Sequence, residues 1–422
     1  MYDAWTDTVR VEVAHVGLGA LADTGLDDHV RWIFGADVIA LLAEPLDETA
    51  VFAPSSGAET LPAIAGDRLD ARVDLALRVL VRRVAAVNDE DVGPALRVSL
   101  DLDPVGSSLR YRTPRDDVSW GVAGAIELLV PLRVVGRDDG VDVLLAVDDA
   151  RVVEAGLDLD ALVGQPEPPR DDVVASAVRL ADDLVQAMLD DAPARVELLS
   201  VPSLVIEDVA LQGVPSRFAV TDNGSLVVGQ VTPLRPTGDV AATPSLVRGA
   251  PFAVELHPGL PLAAIRADLV DGTIPRIRAD DGTPDVDGRY GVSMDALSLR
   301  GTGITWSFRW WCLSGDRCYR ADMVGQASVA PGAAGIDVRP DPAVVRALST
   351  TGVTFDPATT GPFVTRVAER VDALLTPGRV RVLDRWHFVP RVDELAAGTD
   401  RLRVAGDIVL EEVDLLRGRG VR

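Results

Sequence analysis

The chain has 422 residues, 65 acidic against 41 basic side chains, a net charge of −24 and an isoelectric point near 4.5. At 47% hydrophobic residues and a mean hydropathy of +0.18, it can bury large cores, which excludes global disorder. Every basic residue is arginine, and so acidic a surface repels nucleic-acid backbones and anionic membranes.

The first residues carry no basic segment followed by an apolar one, so a soluble chain residing in the cytoplasm is expected. No apolar run approaches the ~18 residues of a membrane span, so no transmembrane segment is expected. Two cysteines in a chain this long make no disulfide framework.

In chain order, residues 26–46 predict a helix, with Asp27 or Asp28 as its cap and Pro45 at its end, although Gly35 weakens it. Two strand-rich stretches follow. Val73, Leu75, Leu77, Val79 and Val81 alternate in the first, and Val98, Leu100 and Leu102 in the second. From Gly124 the pattern is a long strand, a polar turn at Arg137–Gly140, and a second strand. Residues 170–191 then predict a long helix, whose face carries Val174, Val178, Ala181, Val185 and Met188. The segments behind it read as short returning strands, with Asn223-Gly224 as a tight hairpin turn.

Residues 233–250, rich in proline, read as a linker, dividing the chain into residues 1–232 and 251–422. The loop at residues 279–291 holds Asp285, Asp287 and Gly288. A calcium-loop register would put Met294 where the bidentate acid belongs, which favours a solvated turn of Asp, Gly and Pro.

From Gly303 a second hairpin-like pattern begins. Trp306, Phe308, Trp310 and Cys312 alternate with Ser307, Arg309, Trp311 and Leu313. A three-residue turn sets Cys312 opposite Cys318, and a two-residue turn sets it opposite Tyr319 with the cysteines on opposite faces. Two thiols are poor support for a structural metal. Residues 361–375 predict another helix, with Pro362 in its first turn and Val364, Val367, Val371 and Leu374 on one face, followed again by strands.

No motif names a reaction. His15, His29, His257 and His387 have no metal-ligand spacing, and the stretch at Gly291 departs from the nucleophile-elbow pattern at its last position. No metal, cofactor or catalytic residue is expected.

The two hairpin–helix–strand patterns, at Gly124 and at Gly303, form an apparent internal repeat around the linker. This order resembles the tubular lipid-binding (TULIP-like) superfamily, in the two-domain layout of the bactericidal/permeability-increasing and lipid-transfer proteins. The resemblance implies an α+β fold of two pseudo-repeated domains, each a curved antiparallel sheet wrapped on a long amphipathic helix. It also implies an apolar tube and a non-enzymatic role in binding a lipid or other hydrophobic small molecule. Candidate lining residues are then Val174, Ala177, Val178, Ala181, Val185 and Met188 on the first helix. Trp306, Phe308 and Trp310 on the hairpin, a row that either fills a core or lines an apolar ligand or partner surface, and Val364, Val367 and Val371 on the second helix complete the set. Small residues such as Ala177, Ala181 and Ala187 either leave room for a tail or let helix and sheet approach closely. The acidic charge departs from the basic tips of family members that bind lipopolysaccharide, so the inference stops at an apolar chain. The alternative is a structural component of a multi-protein assembly, which leaves a protein partner open.

Overall fold

The computed structural model describes residues 28–413, apart from residues 50, 53–54, 62–70, 164–168, 204, 207–208, 211–213, 235, 237–249, 301–302, 314–318, 333–334, 352 and 399–400. The described chain is α+β, with antiparallel strand pairing throughout. Its helices are α1 (Ala36–Ala40), α2 (Ala43–Glu48), α3 (Asp171–Asp191), α4 (Leu260–Asp271) and α5 (Gly361–Leu375). None of them is long and apolar enough to cross a membrane.

A central sheet joins the two halves. Val30–Phe34 pairs antiparallel with Phe252–Leu256, with Trp32 opposite Val254 at the middle. Leu226–Val231 flanks the first of these strands and Leu402–Glu412 the second. Outside them lie Val214–Val220 and Trp386–Ala397. The order is therefore a palindrome about the Trp32–Val254 pair: among the described residues, each half supplies its first, last and next-to-last strand in the same arrangement.

The expected helix at residues 26–46 is corrected by this sheet. All five residues of Val30–Phe34 are buried, because the strand is paired on both edges and covered on both faces. Four of its five residues are apolar and the fifth, Arg31, is ion-paired, a composition that suits such a strand as well as a helix, and its β-branched and aromatic residues favour the strand. Gly35 ends it: its N–H bonds to Pro251 O at 2.7 Å, and a Cβ there would lie 2.7 Å from the same oxygen. Only the short α1 and α2 follow, and Pro45 sits in the first turn of α2, where its missing N–H costs nothing.

Beside the central sheet, each half builds a meander of four strands that leads into its long helix. In the first half these are Val79–Asp89, Gly93–Leu102, Asp117–Arg137 and Arg151–Val163, ahead of α3. In the second they are Tyr290–Arg300, Gly303–Cys312, Arg320–Gly332 and Gly335–Leu348, ahead of α5. The repeat is real, but its register is corrected by one strand. The counterpart of the hairpin at Gly303 is the pair Gly93–Leu102 with Asp117–Arg137, not the pattern from Gly124. Gly124 lies inside the 21-residue strand Asp117–Arg137, whose far end turns at residues 138–139 into an inserted strand, Gly140–Ala146. That strand pairs with Arg195–Pro202, which in turn pairs with Val380–Val382 of the second half. Ladder shifts at Gly121/Ala123 and Glu127/Leu128 bend the long strand as it passes between partners.

Val73, Leu75 and Leu77, and Val98, Leu100 and Leu102, are all buried, as their alternation predicts, but the first run is broken at Arg78 into two strands, and Val79 and Val81 are only half-buried. The Asn223-Gly224 turn closes the hairpin of Val214–Val220 with Leu226–Val231, with Gly224 at φ 76°. Most of the expected linker, residues 235 and 237–249, lies outside the described residues.

Candidate functional site

Helix α3 lies across the edge strand Ser55–Leu61 and its neighbour Ala71–Leu77. Gly57 lets it come close, since a Cβ there would stand 3.2 Å from Leu184 Cδ2. Ser176 donates to Glu59, and Arg179 pairs with the same carboxylate at 3.0 Å. The Ser176 hydrogen bond, then Arg179, holds the Glu59 carboxyl below its usual range.

The buried stripe of α3 runs through Val173, Ala177, Leu180, Ala181, Leu184, Val185, Met188 and Leu189. Of the residues expected to line a tube, Ala177, Ala181, Val185 and Met188 are on it. Val174 is half-buried, and Val178 is 45% exposed. The stripe is turned toward Leu180 and Leu184, the two leucines that meet the edge strand.

That turn leaves the flank bearing Val178, Ala181 and Val185 facing a cleft of about 230 Å³. Its floor is Leu77, Leu102 and Ile126 of the first sheet, and its far wall is Ala155, Gly156 and Leu157 of the strand Arg151–Val163. Asp182 is the one charged group at its lining. The cleft exists because small residues face each other across it: Ala181 on the helix, and Ala155 with Gly156 on the strand. Ala177 is fully buried and lies outside the cleft, so there the small side chain serves close packing.

The floor and far wall were not foreseen. Leu77 and Leu102 show their burial by alternation, but which strands they meet depends on pairing over long sequence separations. The Ala155-Gly156 pair within a strand is the local signal, since glycine inside a strand marks weak side-chain filling or close approach.

The second seam is filled. Trp306, Phe308 and Trp310 are at most 1% exposed. Phe363 of α5 packs 5.0 Å from Phe308 and 6.4 Å from Trp310 between ring centroids. Val364, Val367 and Val371 are buried in the same core. The Arg278 guanidinium stacks over Phe363 at 5.4 Å, and burial lowers its pKa. The aromatic row thus packs as core against α5 and does not line an opening.

The strand register answers part of the cysteine question. Trp311 pairs with Arg320, and Cys312 N–H bonds to Tyr319 O at 2.9 Å. This is the register of a two-residue turn, in which Cys312 stands opposite Tyr319. Cys312 is buried, and Cys318 lies outside the described residues. In the loop at residues 279–291, Asp281 accepts from Thr283 N–H and Asp285 from Asp287 N–H, so these carboxylates close turns. Among the described residues no group of three or more His, Cys, Asp or Glu side chains could hold a metal ion.

A polar layer crosses the central sheet where the halves meet. Arg31 lies between Asp28 at 2.6 Å and Glu255 at 3.5 Å, and Arg403 meets Glu255 at 3.2 Å. His29 and His257 stand edge to face at 6.2 Å. Burial, then the charge of His257, pushes the His29 pKa down to about 4, so His29 is neutral in the fold.

No protein-family model and no curated protein sequence matches this chain. Among solved structures it is similar to one titled "Crystal structure of lipopolysaccharide binding protein", at 12% identity and a TM-score of 0.45. The match covers 92% of this chain and 100% of that one. A likeness of this degree assigns no role to any residue here.

Proposed function

We propose that this protein binds an apolar ligand, a lipid chain or similar hydrophobe, in the cleft between α3 and the first sheet, and that it acts without catalysing a reaction. The observation that carries this reading is the apolar gap of about 230 Å³ where Ala181 faces Ala155 and Gly156. At ~30 Å³ per water-sized group the cleft admits about seven or eight methylenes. Each buried methylene contributes about 0.8 kcal/mol, or roughly 6 kcal/mol in all. Ordering and association oppose this by a comparable amount. The cleft therefore suits a short alkyl chain or the end of a longer one, not a whole two-chain lipid. Residues 1–232, which hold the cleft, and 251–422, whose equivalent seam is packed, form the two domains of this reading.

Native mass spectrometry of the purified chain tests it. A co-purifying species of alkyl-chain mass, released on unfolding, is the expected result. A ligand-free protein that also fails to take up added long-chain alcohol would overturn the reading.

A further inference from the structure

The second half carries a different pocket, on the face of its sheet turned away from α5. Val292 pairs with Trp310 and Met294 with Phe308, on the packed face. Gly291 pairs with Trp311 and Ser293 with Arg309, so these lie on the opposite face. There, with the end of α4 as one wall, they border a cavity of about 520 Å³, which Val292 and Met294 of the same strand also border. Leu269, Val270 and Ile277 supply apolar surface at one side, and Trp311 and Leu313 at the other. Trp311 holds its ring by donating Nε1–H to Ser293 Oγ at 3.4 Å.

Three arginines border this cavity, Arg266, Arg276 and Arg309, against one aspartate, Asp295. Asp295 answers Arg309 at 3.1 Å, with Asp322 on the other side of Arg309 at 3.9 Å. Arg266 and Arg276 meet no carboxylate within ion-pair distance among the described residues. Arg266 donates to the carbonyls of Met294 and Asp295, and Arg276 donates from Nε to the carbonyl of Leu269. These bonds hold each guanidinium by one side, while Nη1 of Arg266 and both Nη atoms of Arg276 have no hydrogen-bond partner among the described residues. In a chain of net charge −24, two unanswered guanidiniums beside an apolar floor are an exception to the surrounding field.

We propose that this pocket binds a single-tailed anionic amphiphile of the fatty-acid class. The carboxylate meets Arg266 and Arg276, and the tail lies on Leu269, Ile277 and Trp311. Guanidinium forks bind carboxylates through paired charge-assisted hydrogen bonds, which gives the head group its place. The cavity falls within the usual range for small-molecule sites and holds about 17 methylene-sized groups at ~30 Å³ each, so a medium-chain acid fits. The site is separate from the cleft under α3, and either can exist without the other.

Isothermal titration at low salt tests the head group and the place together. Decanoate, decan-1-ol and decyltrimethylammonium, which share a tail, are titrated into the full chain carrying Ala181→Phe, which fills the cleft under α3 and leaves only this pocket to read. Decanoate is expected to bind at least tenfold tighter than the other two, and added salt to weaken it. Leu313→Glu adds a negative charge at a position that is 46% exposed, where the fold tolerates it. In the same Ala181→Phe background it is expected to weaken decanoate at least tenfold. Equal affinity for decanoate and decan-1-ol, or a Leu313→Glu protein that binds decanoate as the parent does, would overturn the proposal.

Discussion

Gly325 and Trp306 face each other across neighbouring strands, and a Cβ on Gly325 would meet the indole Nε1 at 2.1 Å. The ring has no room to retreat, because it is 1% exposed. Gly325→Ala is therefore expected to destabilise the protein by about 1–3 kcal/mol, read as a lower urea midpoint. His29 governs a pH response of known sign. Its pKa is lowered from 6.5 to about 4, chiefly by burial and then by His257, with Asp28 and the Thr232 hydrogen bond opposing and Arg401 adding to the shift. The unfolded chain takes up a proton that the fold refuses, so this contribution is whole above pH ~6.5 and is lost as pH falls toward 4. His29 is only partly buried, so its size is on the order of 2 kcal/mol at most. Urea unfolding at pH 7 and pH 4.5 should show a smaller loss for His29→Asn than for the parent. An equal loss would place the acid sensitivity in other groups.

At the scale of elements, α4 and α5 are joined by Asp268 and Arg370, paired at 2.5 Å and each at most 5% exposed. Burial raises the Asp268 pKa and lowers that of Arg370, each opposed by the partner. Arg370→Met strands a buried carboxylate and should cost about 3–5 kcal/mol. Asp268→Leu combined with Arg370→Met should recover most of it, which a chemical-denaturation series can read. Two of the helices were legible: periodicity located α3 and α5, and Pro362 marked the start of α5, whereas α4 was not read as a helix from the sequence. The orientation of α3 was not legible, because its repeats at Val174 and Val178 compete with those at Leu180 and Leu184, and only contact with the edge strand selects the leucines. Val30–Phe34 was misread for a related reason. Burial on both faces removes the alternation that distinguishes a strand, and that burial comes from partners about 200 residues away in sequence.

At the scale of the molecule, the palindromic central sheet binds the halves edge to edge, and the pairing of Arg195–Pro202 with Val380–Val382 adds a second seam. Neither half completes its sheet without the other, so one cooperative transition is expected, with far-ultraviolet dichroism and tryptophan fluorescence coinciding. Two separated transitions would show that the halves are stable alone. The duplication itself could be read from hairpin and helix patterns, but its true register depended on strand pairing that no local pattern carries. What distinguishes the halves is filling: Trp306, Phe308, Trp310 and Phe363 occupy the second seam, whereas Ala155, Gly156 and Ala181 leave the first one open. The most direct test of this difference is titration of an uncharged alkyl-tailed fluorophore into the full chain and into Ala181→Phe. Saturable binding to the parent, weakened at least tenfold in Ala181→Phe with unchanged far-ultraviolet dichroism, is the predicted result. No binding to the parent, or equal binding to both proteins, would contradict the assignment of the cleft as a ligand site.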